Sequence, residues 1–294
     1  MSLRLAVLAK QVPDTSEVTA DAMKADGTVN RSALPTIVNP EDLNALEMAL
    51  RIRERMGGEV HVLTMGPPAA ADLLRDALYR GADRGILITD RRAAASDTLA
   101  TSYILARAVE HLDEVDLVLC GRQAIDGDTA QVGPQTAEKL GLPQLTYAED
   151  LVEVTPTRLT VRRKMGDAEE VVSAPLPCLV TVTGEANTPR PHGARRLMIY
   201  KRARSPLEVE QEMGRDGDPG AVIEHLRSAG LLLEQWDLDE IGADLAWCGR
   251  DGSPTKVKRV QGIVLKGEGR TQVEPSREGV RELVHELIVD HTIG

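Results

Sequence analysis

The 294-residue chain is 42% hydrophobic and 28% charged, a soluble globular balance that excludes a disordered protein and suits one large α/β domain with extensions, or two domains. Its 35 Lys and Arg stand against 46 Asp and Glu, and the net charge of −11 argues against nucleic acid as a partner. Cys120, Cys178 and Cys248 lack metal-ligand spacing, no apolar run reaches the ~20 residues of a membrane span, and no signal peptide is legible, so a cytoplasmic protein is expected.

Residues 3–9 are a short apolar run closed by a Pro/Asp/Thr/Ser stretch, and they read as a buried first strand. After a long polar connection, Asn39 before Pro40 gives an N-cap with proline at the first helical position, and Glu41 and Asp42 sit favourably for the helix dipole. Leu43, Leu46 and Leu50 carry the helix to Gly57 and Gly58, where the strand-like run 60–65 begins. The alternation repeats: a helix over 72–80, a strand over 85–89, a helix capped by Ser96 or Asp97 and running to His111, a strand over 115–120, and a helix over 129–140. This predicts an α/β fold with a doubly wound, mostly parallel sheet and helices on both faces.

Beyond Leu145 the texture changes. Residues 151–154, 159–164, 169–173 and 178–182 are short strand candidates that read as an antiparallel addition to the sheet. Residues 187–204, with Arg190, Arg195, Arg196, Lys201, Arg202 and Arg204, read as an exposed basic arm. An amphipathic segment over 221–233, a Gly/Pro/Lys-rich stretch over 252–269 and a last helix over 276–290 make a C-terminal helical extension. The expected division is an α/β domain over 1–186, an arm and linker over 187–220, and a C-terminal extension over 221–294.

In a doubly wound sheet a ligand lies beyond the carboxyl ends of the strands where strand order reverses. With the order 3-2-1-4, the crevice is framed by the loops after Ala9 and after Cys120. The second loop, Gly121 to Pro134, feeds a helix whose free N–H groups suit an anion, and the Thr129 hydroxyl can donate to a phosphate oxygen. Asp126 and Asp128 would repel a phosphate they faced, so they either cap the helix or meet ribose hydroxyls, and an Asp-Gly turn with a Thr cap explains the loop equally well. Neither G-x-G-x-x-G nor a P-loop motif is present, and the scattered histidines, including His285 and His291, lack metal-ligand spacing. No catalytic residue and no metal ligand is predicted.

Lys10-Gln11-Val12-Pro13-Asp14, Asn39-Pro40, Gly81-Ala82-Asp83-Arg84-Gly85 and the run Val118 to Thr129 follow one another as they do in electron transfer flavoprotein beta subunits, which the chain resembles from Leu3 to about Arg204. Gly252-Ser253-Pro254-Thr255-Lys256-Val257 is similar to a segment of bacterial members, less specifically. The resemblance implies a heterodimer with an alpha subunit that carries the usual flavin. In mitochondrial-type members the beta pocket holds AMP; in electron-bifurcating members it holds a second FAD, reduced by NADH, with ferredoxin or flavodoxin as a low-potential acceptor. The stretch Asp126 to Pro134 resembles the bifurcating group, so FAD is expected, with AMP as the alternative. Only the heterodimer would oxidise NADH.

The same resemblance places adenine and ribose near Ala9, Asn39 and Met65, and the pyrophosphate on Gly127, Asp128, Thr129, Ala130, Gln131, Val132 and Gly133. Lys10 and Asp126 join the cofactor-binding set, and Arg122 or Gln123 approaches the flavin ring, where an arginine favours the anionic reduced flavin; a surface ion pair is the competing role for Arg122. The arm departs from the family pattern, having Asn187-Thr188-Pro189-Arg190-Pro191-His192 and Ala194 where a leucine is usual, an anchor worth about 2 kcal/mol. That puts an acyl-CoA dehydrogenase partner in doubt and leaves another flavin-dependent dehydrogenase or a quinone oxidoreductase. A signalling or stress protein that binds adenine nucleotides is the alternative from another class, and the additions after Leu145 argue against it. A ligase or thiolase-like enzyme lacks its Ser-Gly-Gly loop.

Overall fold

The computed structural model describes residues 2–14, 34–166, 168–214, 217–256 and 272–289. Most of the polar connection after the first strand, the end of the Gly/Pro/Lys-rich stretch from Val257 onward, Asp290 and His291 lie outside these residues.

β1 (Leu3–Leu8) is the centre of the molecule. Its side chains alternate between two cores: Leu3, Leu5 and Val7 face one, Ala6 and Leu8 the other. A strand buried on both faces must be largely apolar, and in this run only the half-buried Arg4 near its start breaks the pattern. A ribbon of β2 (Gln11–Pro13) and β3 (Thr36–Val38) then leads to α1 (Pro40–Met56). β4 (Gly58–Met65), α2 (Ala71–Arg80), β5 (Arg84–Ile88), α3 (Thr98–His111), β6 (Leu117–Gly121) and α4 (Val132–Leu140) complete the βα alternation. α1 and α2 cover the face bearing Leu5, and α3 and α4 cover the face bearing Leu8. Asp97 caps α3 by accepting from the N–H groups of Leu99 and Ala100, and a left-handed Gly141 ends α4.

Next come β7 (Gln144–Thr155), β8 (Arg158–Met165), β9 (Ala168–Pro175) and β10 (Cys178–Val182). They are followed by α5 (Ala194–Tyr200), α6 (Pro206–Met213), α7 (Pro219–Ser228), β11 (Glu234–Trp236), a single turn α8 (Gly249–Gly252) and α9 (Arg277–Val289). The large sheet has the order β11-β5-β4-β1-β6-β10-β7-β8-β9. Its β5-β4-β1-β6 portion is the expected 3-2-1-4 order. Fully buried leucines such as Leu5, Leu50, Leu74 and Leu119 hold it, each worth about 1.5–3 kcal/mol, against ~0–1 kcal/mol for an exposed ion pair.

Two expectations are corrected, and one strand is added that the sequence did not announce. β10 is no part of an antiparallel addition: it runs parallel to β6 on one side and β7 on the other, because its five buried residues suit only the covered middle of the sheet. The antiparallel pairings are β7 with β8 and β8 with β9. The basic arm is docked on the helices, with Arg190 paired to Glu47 at 2.7 Å and Glu54 at 2.6 Å, and with Arg196 donating to the carbonyls of Leu78 and Ala82. Finally, β11 follows the amphipathic segment and extends the sheet beside β5, a strand too short and too polar for the sequence to announce.

Candidate functional site

β4 lies on one side of β1 and β6 on the other, so strand order reverses beside β1, and Leu8 is in register with Cys120 at the carboxyl end. Past this point the two chains separate, one into Ala9 and Lys10, the other into residues 122–131. The start of α1 fills the gap between them. Asn39, fully buried, uses both ends of its amide: Nδ2 donates to the Gln123 carbonyl at 2.9 Å, and Oδ1 accepts from the Ile125 N–H at 3.1 Å. Its own N–H donates to the Lys10 carbonyl at 2.9 Å. Asn39 therefore precedes the helix without capping it by its side chain. Glu41 accepts from the Gln123 N–H at 3.0 Å and pairs with Arg122 at 3.0 Å. The first-turn acids thus anchor loops rather than merely favouring the dipole.

Across the seam, Lys10 Nζ meets Asp126 at 2.7 Å, and Gln123 Nε2 donates to Asp128 at 3.0 Å. Neither aspartate caps α4. Its N-cap is Gln131, whose Oε1 accepts from the Thr98 hydroxyl at 2.9 Å. The helix begins at Val132, three residues later than the 129 expected from sequence, because Asp128 and Ala130 are left-handed at φ 49° and 51° and no helix passes through them. Gly127 and Asp128 both donate back to the Ala124 carbonyl, which aims the following segment outward. Among the described residues, the N–H groups of Thr129, Ala130 and Gln131 meet no protein acceptor. Donors turned out by a left-handed residue beside a helix start are the local form of a phosphate cradle.

The structure thus joins Lys10, Asn39, Gln123, Asp126 and Asp128 through direct bonds, ties in Arg122 through Glu41, holds Gln131 apart on Thr98, and seats Gly133 beneath the loop against Cys120 and Thr181. Ala9 ties to β4 through its N–H on the Leu63 carbonyl, at 2.9 Å, and Met65 stands one strand away at the end of β4. Gly127 is exposed with open space before its Cα. Arg122 also lies over the Tyr147 ring, 5.7 Å from its centroid, at the edge of a concavity of about 580 Å³ lined by Glu149, Lys164, Thr183 and Glu185. The donors fit the phosphates of a nucleotide, Lys10 supplies a cation nearby, and the glycine lets a ligand approach.

Sequence reasoning left Glu41, Asp42, Thr98 and Tyr147 out of the site. The acids carried a signal, standing directly after Asn39-Pro40, but it read as helix chemistry. Ser253 accepts from the Asp97 N–H at 2.9 Å and Asp97 accepts from the Thr255 N–H at 2.8 Å, which seats the segment resembling bacterial members at the start of α3, beside Thr98 and Gln131.

Residues 26–207 match the family model described as the electron transfer flavoprotein domain. The chain is 40% identical over 291 residues to the electron transfer flavoprotein subunit beta of Clostridium acetobutylicum, covering 99% of this chain and 100% of that protein. It is 41% identical over 279 residues to Protein FixA of Azorhizobium caulinodans, covering 92% and 89%. It is 41% identical over 269 residues to the caffeyl-CoA reductase-Etf complex subunit CarD of Acetobacterium woodii, covering 91% and 90%. No helix among the described residues is long and apolar enough to cross a membrane.

Proposed function

The chain belongs to the electron transfer flavoprotein family as a beta subunit, and from that premise we propose that it holds a phosphate-bearing adenine cofactor, FAD, across the seam between β1 and β6. The observation that carries this reading is the set of unmet N–H groups at Thr129, Ala130 and Gln131, presented beside an open Gly127. When bound, FAD would supply the redox chemistry, which no residue of this chain provides. The chain's own residues bind and orient it. The loop amides take the pyrophosphate, Lys10 balances its charge by sharing its bond to Asp126, and Asn39 keeps the loop after β6 in place. Arg122 sits at the rim with its charge balanced by Glu41, so its pull on a flavin ring is moderated.

The second subunit of this carrier is an electron transfer flavoprotein alpha subunit. The naming of CarD as a subunit of a reductase-Etf complex supports an assembled carrier, and α9 supports it too, since none of its residues is buried and Val280, Val284 and Ile288 are exposed along one side. Electron bifurcation, with NADH as donor and ferredoxin or flavodoxin as low-potential acceptor, rests on the resemblance of residues 126–134. Delivery to a flavin-dependent dehydrogenase or a quinone oxidoreductase falls to the arm, where α5 exposes Met198 and Ile199 close to Ala194.

The test is to purify the heterodimer, denature it and identify what it releases. Two FAD per heterodimer are expected. One FAD with one AMP would keep the crevice and remove bifurcation, whereas one FAD with no second adenine nucleotide would reject the reading.

A further inference from the structure

One side chain at the seam belongs to neither loop yet touches both. Asp42, in the first turn of α1, is buried, and each of its oxygens meets the end of a different strand: Oδ2 accepts from the Lys10 N–H and Oδ1 from the Gly121 N–H, both at 2.8 Å. The parallel ladder between β1 and β6 ends at Leu8 and Cys120, so the carboxylate continues the tie where the strands can no longer bond to each other. Asn39 and Glu41 fix residues 122–125, but of the three Asp42 alone reaches both loops through its side chain. The sequence is built around this approach. A Cβ on Gly121 would lie 2.5 Å from Asp42 Oδ1 and 2.8 Å from the Glu41 backbone, so glycine is what lets the carboxylate in.

We propose that Asp42 is the positioning residue of the crevice, a buried clasp on the main chain of Lys10 and Gly121 that sets the separation of the loops between which the nucleotide lies. The proposal rests on the nucleotide reading of this seam. Two acceptors are needed, and only the ionised carboxyl offers two; an amide presents one acceptor and one donor, and protonation puts an O–H where an N–H already points. The charged and titratable groups facing it are Glu41 beside it on α1, the Cys120 thiol from β6, Arg122 beyond it, and the Lys10 and Asp126 pair across the seam. Burial pushes the Asp42 carboxyl up to about 7, with Glu41 adding to the rise, although the Lys10 and Gly121 N–H groups favour the charged form. Two opposite trends follow. Because the folded-state pKa is raised, the contribution of Asp42 to global stability declines as pH rises from about 4 to about 7, while nucleotide affinity, which needs both N–H bonds, increases through about 7. A residue that only supported the fold would not set binding and stability against each other.

The experiment strips the crevice nucleotide from the heterodimer and titrates it calorimetrically with AMP and with FAD, between about pH 6 and about pH 8 and in buffers of different ionisation enthalpy. Wild type should release protons on binding FAD near pH 7. D42N should bind both about tenfold or more weakly, since one N–H is left facing an amide donor, and should release fewer protons. Gly121→Ala should weaken binding in the same direction. Wild-type affinity and proton release in D42N would overturn the proposal alone. If D42N does not fold, wild type decides: FAD binding with no proton release and no pH dependence overturns it. Failure of wild type to bind either nucleotide would remove the nucleotide reading and the proposal together.

Discussion

Gly127 in the loop after β6 and Gly133 in the first turn of α4 separate what the fold needs from what the proposed ligand needs. A Cβ on Gly133 would stand 2.8 Å from both Cys120 Sγ and Thr181 Cγ2, so Gly133→Val should lower stability by about 1–3 kcal/mol, read from the denaturant midpoint of the protein without cofactor. Nothing lies within 4 Å of the corresponding point on Gly127, so Gly127→Leu should leave that midpoint unchanged and still reduce the cofactor retained after purification. Unchanged cofactor content would show that no ligand approaches there. At this scale the sequence says which residue types begin a helix or line a turn, and Asn39-Pro40 and Asp97 are legible in that sense. It does not say where a side chain is pulled. Asn39 suits a cap and is drawn away by two loop amide groups, Thr129 looks like a helix start and precedes a left-handed alanine, and Asp42 reads as dipole chemistry while bridging two strands.

The arm shows the limit at the scale of an element. Its six basic residues suggested a solvated strap, yet Arg190 reaches Glu47, whose side chain is only 5% exposed and also accepts from Arg51. Burial works against the charge on Glu47, but Arg190 and Arg51 hold its carboxyl below the usual range. Arg190→Ala should therefore cost about 1–3 kcal/mol at neutral pH, and the gap from wild type should close on acidification, as Glu47 takes a proton in either protein; urea midpoints across pH measure both. An equal cost at every pH would mean that packing, not the ion pair, docks the arm. Strands were legible where an apolar run was bounded by turns, as in β1, β4 and β6. Their neighbours were not, because β10 follows β9 in the chain and pairs with β6 and β7 in space, a choice made by burial on both faces.

For the whole molecule, the alternation of strands and helices gives a doubly wound sheet but leaves its strand order open, and the observed β5-β4-β1-β6 order puts a crevice beside β1. The crevice was legible from the sequence only on the supposition of a 3-2-1-4 order, because where strand order reverses depends on which side of β1 each later strand is laid down. The concavity by Arg122 was not, because β7, β8 and the chain beyond β10 bring Tyr147, Lys164 and Thr183 together from distant positions. On the proposed reading this chain supplies amides, a lysine and a clasp to a cofactor held in a heterodimer. The direct measurement is an experimental structure of the heterodimer purified with its own cofactors. Phosphate oxygens are expected within about 2.7–3.2 Å of the Thr129, Ala130 and Gln131 nitrogens, with the adenine beside Ala9. A nucleotide lying elsewhere, with those three amides facing only water, would contradict the proposed reading.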